Sequence, residues 1–167
     1  IKEVDYTLTR KKICQGLSDL YVKHSYLRDS EVLLDTEKRF FDRILSENFD
    51  DSDASLTLHR LSDYLERYYH KKVIILLDEY DTPMQEAYIH GYWDELVSFT
   101  RSLFNSTFKT NPYLERGLMT GITRVSKESI FSDLNNLKVV TTTSDEYATS
   151  FGFTEEEVFV ALDECGL

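Results

Sequence analysis

The run Val73-Ile74-Ile75-Leu76-Leu77, closed by Asp78-Glu79, constrains the fold of this chain more than any other stretch. Five consecutive aliphatics without polar alternation read as a strand buried on both faces, the pattern of a parallel sheet. A parallel sheet needs crossover helices, and the flanking sequence carries helical periodicity. The expectation is an α/β fold, with a parallel sheet covered on both faces by helices.

Upstream, Thr9 can cap a helix to about His24, with Ile13, Leu17 and Leu20 on one face. Ser30 to Ser46 places Phe40 or Phe41 and Ile44 or Leu45 on an apolar stripe, and an acidic loop, Glu47 to Asp53, then breaks the pattern. A third helix begins near Ser55, with Leu58, Leu61, Leu65 and Tyr68 at the spacing of a buried face. Downstream, a long helix is expected from about Gly91 to Lys109, stopped by Asn111-Pro112. Short strands are expected at Arg116–Thr120 and Val139–Thr142. Thr154 and Glu157 form a capping box for a last helix that Gly166 closes. With no repeat or linker, residues 1–167 read as one domain, a helical segment over 1–70 followed by 71–167.

Composition narrows the function classes. The chain carries 30 acidic against 19 basic side chains, a formal charge of -11. That balance argues against nucleic-acid binding by this segment unless Lys and Arg cluster locally. No apolar run reaches the roughly 20 residues of a membrane span. The first residues lack an initiator Met and a signal-like core, so the chain is expected to start inside a larger protein. Cys14 and Cys165 are isolated, which indicates neither zinc nor a disulfide framework and makes a cytoplasmic setting the default. His24, His59, His70 and His90 show no metal-ligand spacing, and Phe40-Phe41 and Tyr68-Tyr69 read as core and snorkelling residues.

The strand tip carries the chemistry. Two carboxylates at the carboxyl edge of a parallel sheet lie where ligands of open α/β folds bind. In a P-loop ATPase the Walker B aspartate orients magnesium, and a following glutamate polarises the water that attacks the terminal phosphate. Asp78 and Glu79 match those roles, Asp78 as metal and cofactor residue and Glu79 as catalytic residue. The plainer alternative is that both simply solvate a turn. A second strand tip, Thr120-Gly121-Ile122-Thr123-Arg124, has the order of a sensor element, with Thr123 the candidate for contact with the attacking water or terminal phosphate. A turn-forming threonine is the alternative there.

At these residues the sequence resembles the AAA-ATPase-like family, whose members often carry a C-terminal nuclease-like domain of the PD-(D/E)XK type. The resemblance rests on Leu76-Leu77-Asp78-Glu79-Tyr80-Asp81-Thr82-Pro83, on Thr120 through Lys127, on Ser129 through Leu137, on Glu146-Tyr147-Ala148-Thr149 and on Phe151 through Glu157. It implies a partial P-loop NTPase core of the additional-strand, AAA-like kind, with ATP and Mg2+ as cofactors of the longer protein. Thr123 then matches the family's small hydroxyl residue, and Arg124 its basic neighbour, able to read the terminal phosphate or to pair with Asp133.

The phosphate-binding loop is absent from these residues. It requires Gly-x-x-x-x-Gly-Lys-[Ser/Thr], because backbone N–H groups must wrap the phosphates while lysine neutralises them. None of the six glycines is followed by lysine. The family resemblance places that loop N-terminal to this segment, so its loss is expected to leave a gap in the sheet and an isolated chain without ATPase activity. The nuclease-like signature is absent as well, since none of the ten lysines has an acidic residue two positions before it. The leading expectation is the Walker B and sensor portion of an ATP-binding domain. The alternatives are a protein-interaction module, as homo-oligomer or with a protein partner, and a metal-dependent phosphohydrolase using Asp78, Glu79 and Asp81.

Overall fold

The computed structural model describes residues 1–122, 131, 134, 137–150 and 152–166. They group into two compact units, Ile1–Asn136 and Leu137–Leu167.

The first unit is a helical body with a small sheet. Helix α1 (Tyr6–Lys23) starts three residues before the expected cap, because Asp5 accepts the Leu8 N–H at 2.9 Å. Thr9 lies inside the helix, fully buried, with its hydroxyl 3.0 Å from Tyr92 Oη. Helix α2 (Asp35–Leu45) is shorter than its periodicity suggests. Leu34 begins it, its N–H bonded to Glu37 Oε2 at 2.8 Å, while residues before it make a 3-10 turn at Ser25–Leu27. Helix α3 (Asp51–Tyr69) starts inside the acidic loop, where Asp50 accepts the Asp53 N–H at 2.9 Å. The loop's short acidic side chains favour that start, since a carboxylate satisfies an N-terminal N–H and opposes the helix dipole.

Between these helices lies the main core. Tyr21, Leu27, Leu33, Phe40, Phe41, Ile44, Leu61 and Tyr64 bury one cluster. The Tyr21 hydroxyl donates to the Thr57 carbonyl at 2.9 Å, which satisfies the polar end of a fully buried ring. Arg67 fastens α3 to the start of α2, donating to the Val32 carbonyl and to Glu37 Oε1, both at 2.8 Å.

Strand β1 (Val73–Leu77) pairs in parallel with β2 (Leu114–Met119), register Leu76 with Leu118 and Leu77 with Met119. Between them run α4 (Thr82–His90) and α5 (Trp93–Phe104), the latter continued by a π turn at Asn105–Lys109. The one long helix expected from Gly91 is therefore a second helix that begins later. Gly91 itself ends α4 with φ of 80°, its N–H bonded to the Ala87 carbonyl at 2.9 Å. That left-handed conformation is the one glycine adopts without strain. Leu96, Val97, Phe99, Leu103 and Phe104 form the buried face of α5.

Two sheet expectations are corrected. Among the described residues the sheet has two strands and is covered on one face, with Ile74 62%, Leu76 72% and Leu118 56% exposed on the other. The unbroken apolar run thus marks a strand whose outer face is not covered by a layer among the described residues. Residues Val139–Thr142, in the second unit, form no strand. Thr141 and Ser144 bond to each other instead, Ser144 Oγ accepting the Thr141 N–H and the Thr141 carbonyl accepting the Ser144 N–H, both at 3.0 Å. Hydroxyl side chains can satisfy local backbone groups in this way and turn the chain. Also in that unit, α6 (Glu155–Cys165) has the expected capping box of Thr154 and Glu157, and Gly166 closes it at φ of 72°.

The fold is mixed α/β, with a small parallel sheet and flanking helices. No helix among the described residues is long and apolar enough to cross a membrane.

Candidate functional site

The carboxyl ends of β1 and β2 are joined beyond the strands proper. Thr120 donates its N–H to the Leu77 carbonyl at 2.9 Å, and Tyr80 donates to the Thr120 carbonyl at 3.1 Å. This continuation of the parallel ladder puts Asp78 beside Thr120, whose hydroxyl donates to Asp78 Oδ1. The same oxygen accepts the Glu79 N–H at 3.0 Å. Both bonds converge on Oδ1, and Oδ2 takes neither.

Glu79 leaves the strand. Its φ of 51° lies in the left-handed region, uncommon for a residue with a Cβ, and the Thr82 N–H bonds back to its carbonyl at 3.2 Å. The two acidic residues are therefore presented by a strand end and a tight turn rather than by the alternation of one continuous strand. Both are exposed. Strained backbone of this kind clusters at functional sites, where surrounding structure holds it.

The turn rests on Asp81. This carboxylate is 1% exposed, and its Oδ2 accepts from Gln85 Nε2 at 2.9 Å, one helical turn into α4. Gly121 lies directly against it: a Cβ there would fall 2.7 Å from Asp81 Oδ1. The Tyr80 ring packs edge-on against buried Phe131 at 5.4 Å, and Phe131 stacks on Phe104. Asp81, Gly121 and Tyr80 thus form a packed floor under the exposed pair.

Thr123 and Arg124 lie outside the described residues. Thr120 and Gly121, which the sensor motif leaves without a role, are the residues just beyond β2 that meet the acidic tip and its turn. The signal was available in the register, since a parallel alignment of Leu77 with Met119 makes the next pair Asp78 and Thr120.

A model of the AAA-ATPase-like family, described as predicted AAA-ATPase, matches residues 11–131. The chain belongs to the AAA-ATPase-like family. Among curated proteins, it is similar to an uncharacterized protein in the vnfD 5' region of Azotobacter chroococcum mcd 1, with 29% identity over 89 residues. That alignment covers 53% of this chain and 17% of the relative, so the chain spans a small part of that protein's length. No solved structure matches the chain.

The donor set at the tip of this family member suits a hard divalent cation, which takes carboxylate, hydroxyl and water oxygens. Among the described residues no three His, Cys, Asp or Glu side chains gather as a metal group. Asp81 in particular is buried against Gln85 and Gly121 and does not join Asp78 and Glu79 in one. One carboxylate is nonetheless what magnesium takes from many nucleotide sites, its other ligands being waters and phosphates. A triphosphate is a different matter, since the glycine-lysine loop that would cradle it is not in this sequence.

Proposed function

We propose that the β1 tip is the magnesium- and water-handling edge of an ATP-binding domain, with Asp78 in the Walker B metal role and Glu79 in the water-polarising role. The observation that carries this reading is the convergence of Thr120 and the Glu79 N–H on one oxygen of an exposed carboxylate at the carboxyl edge of a parallel strand pair. Membership of the AAA-ATPase-like family supports it. Magnesium ATP, when bound, supplies the electrophilic terminal phosphate and the cation that neutralises it.

Asp78 is held by its two Oδ1 bonds, so Oδ2 can accept from a metal-bound water or meet the ion directly. Glu79 one residue on serves as the group that orients and polarises a water. Thr123 and Arg124 keep their proposed places as sensor hydroxyl and phosphate reader. Lacking the glycine-lysine loop, the 167 residues by themselves place carboxylates near a polyanion, and negligible ATP turnover is expected of them.

The test uses Mn2+ as a paramagnetic stand-in for magnesium, titrated into the isotopically labelled chain. Broadening is expected first at the amides of Asp78, Glu79 and Thr120 and is expected to vanish there in Asp78→Asn. Identical broadening in the variant contradicts the metal role.

The uncovered apolar face of Ile74, Leu76 and Leu118 favours a second reading, a protein-interaction module that uses this sheet face to hold a protein partner or a second copy. It predicts self-association or partner binding that Ile74→Ser with Leu76→Ser abolishes while Asp78→Asn leaves it intact.

A further inference from the structure

The two ends of the third helix differ in charge, with Glu66 the last acid before its end. Nineteen residues at about 1.5 Å each make α3 roughly 28 Å long. At its start stand Asp50, Asp51 and Asp53, with Asp51 paired to Arg10 of α1. At its other end the chain reads Arg67-Tyr68-Tyr69-His70-Lys71-Lys72 and then no acid until Asp78. The end of α1 matches it, since Leu20 through Arg28 contains Lys23 and His24 and no acid.

These two acid-free stretches meet through tyrosines. Tyr26 Oη lies 3.0 Å from both Tyr69 Oη and His24 Nδ1. The Tyr26 and Tyr68 rings are 5.3 Å apart, and those of Tyr68 and Tyr69 4.9 Å, all in edge contact. Tyr68 and Tyr69 are 41% and 54% exposed, as snorkelling side chains are, and Tyr26 is 37% exposed. Phe40 and Phe41, by contrast, are buried.

Charge at this end is unspent. Arg28 is neutralised by Asp42, and Arg67 by Glu37 and Asp63. Lys23, Lys71 and Lys72 are exposed and take no ion pair among the described residues. The net charge of -11 does not govern such a patch, because screening acts over about 8 Å at physiological salt, well short of the length of α3.

We propose that this patch, formed where α1 and α3 end, binds single-stranded nucleic acid, the three lysines contacting phosphates and the exposed tyrosine rings stacking on bases. Unpaired cations interleaved with exposed aromatic rings are the two elements of sequence-tolerant single-strand binding. An acidic peptide would use the lysines and leave the rings without a purpose. The surface is distinct from the acidic β1 tip, which lies at the other end of that strand, and does not depend on its chemistry.

The experiment is fluorescence anisotropy of a labelled oligodeoxythymidylate titrated with the whole chain. A dissociation constant in the range of about 1–100 µM at physiological salt is expected, with a slope of log affinity against log salt near about -2 for three phosphate contacts. Lys71→Gln with Lys72→Gln is expected to flatten the slope and weaken binding about tenfold or more. Tyr68→Leu with Tyr69→Leu is expected to weaken it about tenfold and leave the slope unchanged. If that double variant fails to fold, NMR shifts of the Tyr68 and Tyr69 ring resonances on adding oligonucleotide to the native chain replace it. No binding by the native chain, unmoved ring resonances, or displacement of the oligonucleotide by polyglutamate at equal charge concentration would each overturn the proposal, the last in favour of an acidic protein partner.

Discussion

Gly121 lies so close to Asp81 that a Cβ on the glycine would fall 2.7 Å from Oδ1 and 2.9 Å from Cγ of the buried carboxylate. The contact locks the end of β2 to the turn that carries Asp78 and Glu79. Because Asp81 is 1% exposed and bonded to Gln85, it has little room to yield. Gly121→Ala is expected to destabilise the first unit by about 1–3 kcal/mol, the usual cost of overpacking. Urea unfolding measures it, and an unchanged midpoint would show that the two tips are not locked there.

Thr120 holds the Asp78 carboxylate through its hydroxyl. Thr120→Val removes that donor at nearly constant volume, whereas Thr120→Ser keeps it. The valine variant is expected to need about tenfold more Mn2+ for half-maximal broadening at Asp78, in line with losses on removing groups that orient a ligand. The serine variant is expected to match the native chain.

The positions of most helices, both paired strands and the α6 capping box were legible in the sequence because apolar spacing and short polar caps are local signals. Helix α4 was not, since it buries only Met84 and Ala87 and so prints no stripe. The exposure of Ile74 and Leu76 was hidden for a different reason. A run of aliphatics says a strand can be buried on both faces, but only the tertiary arrangement says whether anything covers it. Val139–Thr142 misled because β-branched residues that favour strands include threonine, which can also close a turn with Ser144. At the candidate site, Asp78 and Glu79 were legible by position after the strand. Thr120 needed the register, and the support from Asp81 needed the close approach of Gly121.

The tyrosine patch gives a pH prediction. Burial first, then the hydrogen bond shared with Tyr69, push the Tyr26 phenol up to about 12, and burial pushes Tyr64 to about 12 as well. A raised phenol favours the folded state while the unfolded phenol stays neutral. Its contribution is full below about 10, the unfolded value, and is lost as pH rises from there through about 12. Burial also raises the Tyr21 phenol well above its ordinary value, so phenolate absorbance should show at least three of the 11 tyrosines titrating late. Tyr69→Phe should bring Tyr26 down and leave Tyr64 in place.

ATP turnover by the 167 residues alone is expected to be negligible for want of the phosphate-binding loop. Steady-state phosphate release measures it. A rate of roughly 1 per second, ordinary for an enzyme, would mean that phosphate is held by groups other than those assigned.

The proposed division of labour, metal at Asp78 and water at Glu79, is separated into its parts by Glu79→Gln. The measurement compares ATP binding with single-turnover hydrolysis in a polypeptide that joins this segment to a Gly-x-x-x-x-Gly-Lys-[Ser/Thr] loop. Glutamine keeps the size of the side chain and removes its charge, so ATP affinity is expected to hold while hydrolysis falls about 100-fold or more. Equal loss of binding and hydrolysis, or hydrolysis at the native rate, would contradict the assignment.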